Sequence, residues 1–463
     1  MYPWGPPTVR GRSVSATLLF AAPNGTAMEP QTRAYLRGRF GDHYRRSGVS
    51  PPPAADEREW GYIPWTSGDT RMVRHHSLLD LGEFGANPER LGEFIARERP
   101  RHVYYSAARY DDPGADSMGA KGWRSADLVF DLDADHLPGV DPETDAYAEM
   151  LSVCKDALGR LLDLLEGDFG FEDNRIVFPG GRGYHVHVRD DRVLDLGREQ
   201  RREIVDYVLG EGLEFESLLH TETVAGMGRS TPAEKRSLPT DGGWGARVHR
   251  RLLGVLEAAL DAADGTEENA AEDGTEAPDA AENGTETPDA ADEASEGSPE
   301  DGIAVLTAYE GIGEGRAEAA LEAARSNYDE IASGNVDVHP AVYGLAKAVA
   351  EETVRREHAP IDEPVTTDVN RLIRLPGSLH GGTALAVTPV ERDALAGFDP
   401  FVDAVPGTFR DQEIAIDVRE PGETPFPAPS GGGSFTVRAG EKTVPEYVGA
   451  FLMARGRAEK AKE

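Results

Sequence analysis

Apolar and charged positions alternate over residues 128–136, so that in an extended chain Leu128, Phe130 and Leu132 share one face while Asp131 and Asp133 share the other. The pattern predicts a buried strand that ends in an acidic site. A helical period follows over residues 143–168, with Leu151, Leu158, Leu161, Leu162 and Leu165 on one side. It leads to residues 175–189, two apolar strand-like runs set around Gly180, Gly181, Arg182 and Gly183. Upstream, residues 30–44 and 87–98 read as helices, and 58–65 and 101–107 as strands. Residues 190–260 are charged and mostly helical in pattern, with a Gly/Pro-rich interruption at 226–245, and helical periodicity returns at 317–331 and 341–356. Beyond about residue 400 the chain is Pro/Gly-rich, and one helix is expected there, over 444–460. No chemistry is assigned to that tail.

Length adds that the 463 residues suffice for a sizeable core and about two domains. The formal charge of −35 is concentrated in part in residues 261–300, which hold fifteen acidic side chains and no Lys or Arg. Near-repeats from Gly265 make this tract too polar to bury anything, so a disordered insertion is expected. The rest of the chain is acidic too, and its basic residues are seven lysines against forty-one arginines, a balance suited to a high-salt cytoplasm. Such a surface argues against nonspecific nucleic-acid binding by bulk charge and leaves phosphate contacts to local arginines. Cys154 is the single cysteine, which excludes an intrachain disulfide and a multi-thiolate zinc site and indicates a reducing compartment. No apolar run approaches the length of a membrane span. Residues 1–27 lack sustained periodicity and read as a disordered extension or a miscalled start ahead of Met28.

The chemistry lies in three stretches. Asp131 and Asp133 raise each other's pKa unless a cation lies between them, and hard oxygen ligands suit magnesium or manganese, hence two-metal phosphoryl chemistry. The plainer reading is a solvated strand end. At Gly180, Gly181, Arg182 and Gly183 the backbone N–H groups are free to converge on an anion, and Arg182 adds a guanidinium fork, with His185 and His187 on one strand face. The alternative is a simple hairpin with exposed histidines; a Walker loop is excluded because no Gly-Lys-Ser/Thr follows. In residues 361–382, Asp362, Glu363 and Asp368 precede Arg371, Arg374 and His380, a set that suits a metal-nucleotide site.

Together FDLDADH (130–136), GGRGYHVHV (180–188) and DVNRLIRLPGSLHG (368–381) resemble the catalytic small subunit of the archaeal and eukaryotic DNA primase, in order and spacing across roughly residues 30–400. The resemblance implies an α+β primase fold, a mixed sheet carrying the acidic site with an inserted helical subdomain. Residues 28–189 and 356–400 would form the catalytic core, 190–355 the helical subdomain with the acidic tract inside it, and 401–463 a C-terminal tail. It further implies that Asp131, Asp133 and Asp362 bind metal and are catalytic, with Glu59 an additional active-site acid. Gly180, Gly181, Arg182, Gly183, His185, Arg371, Arg374 and His380 would bind the incoming nucleotide. Implied cofactors are Mg2+ or Mn2+. Implied partners are a large primase subunit, a single-stranded DNA template, and ribo- and deoxyribonucleoside triphosphates, in the cytoplasm. Asp362 stands nine residues before Arg371 and eighteen before His380, where the family places its last aspartate, and Asp368 is expected to begin a turn. Pro364 is expected to hold Glu363 in extended backbone.

Two departures from the family matter. Pro179 stands where many relatives carry serine, and of the cysteine-rich zinc knuckle only Cys154 remains, so folding without structural zinc is expected. Three other readings compete. A phosphatase using an Asp nucleophile is opposed by Asp135 and scarce lysine, a degenerate nucleic-acid-binding subunit by the intact aspartates. A repair-type primase-polymerase is the nearest alternative within the fold.

Overall fold

The computed structural model describes residues 28–49, 51–66, 73–75, 91–142, 144–224, 233–265, 298–428 and 434–462. The expectations for residues 1–27, for 87–90 and for most of the acidic tract 261–300 lie outside these. Two compact units emerge, one within Met1–Leu162, Phe171–Val205 and Ala359–Glu463, the other within Asp163–Gly170 and Asp206–His358. Among the described residues no helix is long and apolar enough to cross a membrane.

In the first unit the alternating stretch forms the strand Leu128–Asp133, whose Leu128, Phe130 and Leu132 are fully buried. It is the last of four antiparallel strands in the order Thr388–Val390, Asn174–Phe178, Gly183–Val188, Leu128–Asp133. The leucine-faced helix Tyr147–Gly167 packs on this sheet, with the Cys154 thiol donating to the Leu132 carbonyl at 3.3 Å. A second antiparallel sheet orders Leu372–Arg374, His102–Ser106, Trp60–Ile63 and Val73–His75.

A buried ionic knot joins the strands of these sheets. Arg58 donates to Asp127 Oδ1 at 3.0 Å and to the carbonyls of Ser106 and Ala107 at 2.8 Å, and Arg189 Nε reaches Asp127 Oδ2 at 3.1 Å. Arg201, in the helix Arg198–Leu209, donates to the carbonyls of Ala126 and Asp127 at 2.7 and 3.0 Å. One carboxylate thus serves the guanidiniums of Arg58 and Arg189, while Arg201 holds the backbone beside it. Asp127→Ala is expected to cost about 3–5 kcal/mol in urea unfolding, because it leaves those charges without a counterion. A loss below 1 kcal/mol would mean that water compensates them.

The region beyond residue 400 departs from its sequence reading. Instead of one helix over 444–460 there is a strand Gly440–Pro445, a shorter helix Glu446–Ala454 and a strand Ala458–Lys460. Both strands pair with Glu413–Val418, in which Ile414, Ile416 and Val418 alternate into the core. Gly456, at φ 76°, turns the chain between helix and strand, a conformation that favours glycine. The buried Glu446 carboxylate accepts from Arg39 Nε and Nη2 at 2.5 and 2.8 Å and from the Tyr35 hydroxyl, so this segment is fastened to the helix Pro30–Arg46.

The second unit is mainly helical. Gly243–Asp264, Pro299–Thr307, Glu314–Ala332 and Pro340–Glu357 bury a continuous core that includes Val248, Leu252, Leu256, Leu306, Leu321, Leu345 and Val349. The interruption expected at 226–245 contains a strand, Ala233–Ser237, paired with His220–Val224. The unit starts later than residue 190 because Arg201 ties its own helix to the strand region of the first unit.

Candidate active site

Antiparallel register places Asp131 opposite His185 and Asp133 opposite Gly183. No side chain fits at Gly183: a Cβ there would lie 1.8 Å from the Leu132 carbonyl oxygen. His185 Nε2 stands 3.3 Å from Asp131 Oδ1. Burial alone would raise the Asp131 pKa, but His185, with Arg371 and Arg374 further off, holds it below the ordinary carboxylate range. Asp133 is pushed up, first by burial and then by the charges of Asp131 and Asp135. His187 is buried beside His185, with ring centroids 6.0 Å apart, so a hairpin with exposed histidines is ruled out.

The third stretch arrives along the acidic strand. The Asp362 amide donates to the Asp131 carbonyl at 2.9 Å, and burial together with the Asp131 charge raises the Asp362 pKa. Pro364 does not keep Glu363 extended, because both lie in the first turn of a short helix, Glu363–Thr367, where proline needs no hydrogen-bond donor. Glu363 instead pairs with Arg202. Asp368 turns the chain, its Oδ1 accepting from the Asn370 amide at 3.0 Å.

Around these acids the chain gathers cations and rings. Arg182 Nη2 pairs with Asp135 at 2.6 Å. Arg374 Nη1 reaches His102 Nδ1 at 2.6 Å and the Tyr104 hydroxyl at 2.9 Å. Since Arg374 can only donate, His102 Nδ1 is the acceptor; burial first, then the charge of Arg374, keeps that ring neutral. His380 is buried among Arg374, Arg101, Arg455 and Arg182, and burial followed by those charges depresses its pKa far below normal. The Gly180 backbone, at φ 79°, lies so close that a Cβ would be 2.5 Å from the His380 Cβ, and Thr383 Oγ1 donates to the Gly180 carbonyl at 2.5 Å. Loop and histidine therefore form one cradle. Arg371 enters through backbone pairing, its carbonyl accepting from Ala107 at 2.7 Å.

Asp131, Asp133 and Asp362 could hold a divalent cation. Among the described residues no three His, Cys, Asp or Glu side chains already converge on one metal position. The donor chemistry fits nonetheless: all three are hard carboxylates, and burial first, then the neighbouring Asp131 charge, raises the pKa values of Asp133 and Asp362. Glu59 is fully buried and pairs with buried Lys121 at 3.2 Å, whose ammonium lies 5.3 Å from the Tyr110 ring centroid.

Comparison with known proteins now bears on this arrangement. A family model described as DNA primase small subunit matches residues 130–392, which span all three stretches. The chain belongs to this family. It is 57% identical over 440 residues to the DNA primase small subunit of Haloarcula marismortui, an alignment covering 94% of this chain and 100% of the relative. The corresponding protein of Natronomonas pharaonis is 57% identical over 437 residues, again 94% of this chain and all of the relative. The small subunit of Methanococcoides burtonii is 35% identical over 440 residues, covering 93% and 99%. Membership accounts for the mixed helix and strand content, an α+β primase fold. Several residues gathered around these acids and the glycine loop carry no signal in the sequence. His102 and Tyr104 sit in a strand that reads as plain core, Thr383 in a turn, and Tyr147 and Arg455 come together from opposite parts of the chain. The one hint was Asp135, third acid of FDLDADH, which engages Arg182.

Proposed function

We propose that this chain is the catalytic subunit of a DNA primase, a nucleotidyltransferase that joins nucleoside triphosphates into short primers on a single-stranded template. The observation that carries the reading is the Asp362 amide bound to the Asp131 backbone, which sets the third carboxylate beside the acidic strand and brings Arg371 and Arg374 with it. Asp131, Asp133 and Asp362 are the proposed ligands of magnesium or manganese, which when bound would activate the primer 3′-hydroxyl and stabilise charge on the α-phosphate and departing pyrophosphate. The protein's own contribution is positioning and charge. Arg182, Arg371 and Arg374 neutralise the triphosphate, and the backbone of Gly180, Gly181 and Gly183 lets it approach closely. His185 keeps Asp131 ionised and oriented. His380, neutral and fixed against Gly180, adds a polar ring without adding a competing charge.

The partner proposed is a large primase subunit. Primer synthesis on single-stranded DNA, measured with labelled ribo- and deoxyribonucleotides with and without that subunit, tests the reading. Incorporation that needs template and divalent metal is expected, and none under any of these conditions would overturn it. Arg182→Ala and Arg374→Ala should each weaken apparent nucleotide affinity by about 1.5–3 kcal/mol, the worth of a charge-assisted contact. Unchanged nucleotide dependence in both would make these arginines structural.

A further inference from the structure

The C-terminal segment delivers one more guanidinium to the phosphate loop. Arg455 directly follows the helix Glu446–Ala454, and its guanidinium carbon lies 5.0 Å from the Tyr147 ring centroid and 5.6 Å from that of Phe451. The Tyr147 hydroxyl donates to the Gly181 carbonyl at 2.7 Å, so the ring beneath Arg455 is fastened to the loop that holds Arg182. Asp135, whose charge this group feels, has its Oδ2 engaged by Arg182 at 2.6 Å. Among the described residues the Arg455 guanidinium has no hydrogen-bond or ion-pair partner. A partly buried fork of five donors, set over two aromatic rings and without a carboxylate partner of its own among the described residues, is arranged to receive an anion. Burial first, then the Arg182 charge, works against the charged form of Arg455, a cost that a polyanion between the two would relieve.

We propose that Arg455 binds the terminal phosphates of the incoming nucleoside triphosphate, completing from the C-terminal segment a cradle whose other guanidiniums come from the catalytic motifs. The inference rests on the primase reading above. Its neighbours favour the triphosphate over the template backbone, since Arg182 belongs to the glycine loop and His380 lies against it.

Equilibrium binding to the full chain tests this without catalysis, using a ribonucleoside triphosphate, the matching monophosphate and a single-stranded oligonucleotide. Arg455→Met, which keeps the packing volume, should weaken triphosphate binding about tenfold or more and leave monophosphate and oligonucleotide binding unchanged. Arg455→Lys should fall between Arg455→Met and wild type, and in primer synthesis both should raise KM for nucleotide with kcat nearly kept. Wild-type triphosphate binding by Arg455→Met, with only a lower Tm, would reduce Arg455 to a stacking role and overturn the proposal. A loss confined to the oligonucleotide would overturn it as well, by assigning the anion to template phosphate. Should Arg455→Met not fold, the triphosphate affinity of Arg455→Lys decides by the same criterion. The control is Arg182→Ala: if it loses affinity while Arg455→Met does not, this inference alone fails, whereas a wild-type chain that binds no triphosphate fails the primase reading itself.

Discussion

Asp133→Asn is expected to yield a protein that makes no primer yet melts at the same temperature as wild type or higher. The activity loss should be on the order of a thousandfold or more, because one of the carboxylates proposed to hold magnesium or manganese would be removed. The stability gain has a separate cause. Asp133 is buried beside Asp131 and Asp135, which raises its folded-state pKa, so in the metal-free protein its charge is a liability. Between the ordinary carboxylate pKa and that raised value the folded state holds a proton that the unfolded state lacks. Wild-type stability therefore falls as pH rises through this window, and the advantage of the Asn variant should appear above it and vanish below it. Asp131 behaves oppositely. Despite burial, His185 depresses its pKa, so its ionised form supports the fold above the ordinary carboxylate range and the support is lost as pH falls through the depressed value. Asp131→Asn should be equally inactive without the gain in Tm. Thermal melts of both variants from acid to neutral pH, beside incorporation assays, check the pair; near-normal synthesis by either would remove the metal assignment.

A comparable loss is expected for Asp362→Asn, while Asp368→Asn should keep most activity. Six positions separate the two residues, but they point to different work. Asp362 has no capping bond from its side chain, and it feels the Asp131 charge. Asp368 accepts from the Asn370 amide at 3.0 Å, a turn bond that an Asn side-chain oxygen makes equally well. Initial rates of nucleotide incorporation at saturating metal decide between them. The reverse ranking would shift the third carboxylate and with it the roles given to Arg371, Arg374 and His380.

How far the sequence spoke depends on the range of the signal. The acidic strand, the glycine turn and the long leucine-faced helix were legible because periods of two and 3.6 are local, and a strand that alternates into Asp131 and Asp133 has few bland explanations. Pro364 misled, since a proline that forbids a preceding helix also suits a helix's first turn, and only the turn at Asp362 distinguishes the two. Glu59 was hidden for another reason: its partner Lys121 lies sixty residues on, in a loop without pattern. The tail was misread because its strands are short and broken by glycine and proline, so the alternation of Ile414, Ile416 and Val418 was the only clue, and its pairing with the last residues is set by register.

The clasp between Glu446 and Arg39 has a bearing on how the molecule is made. These residues stand 407 positions apart, and near them the Lys460 amide donates to Thr32 Oγ1 at 2.8 Å. On the ribosome the helix Pro30–Arg46 is made long before Glu446, so until then Arg39 has Asp42 of its own helix but not the Glu446 carboxylate. A nascent chain stalled before residue 440 should therefore expose that helix to protease and chaperone.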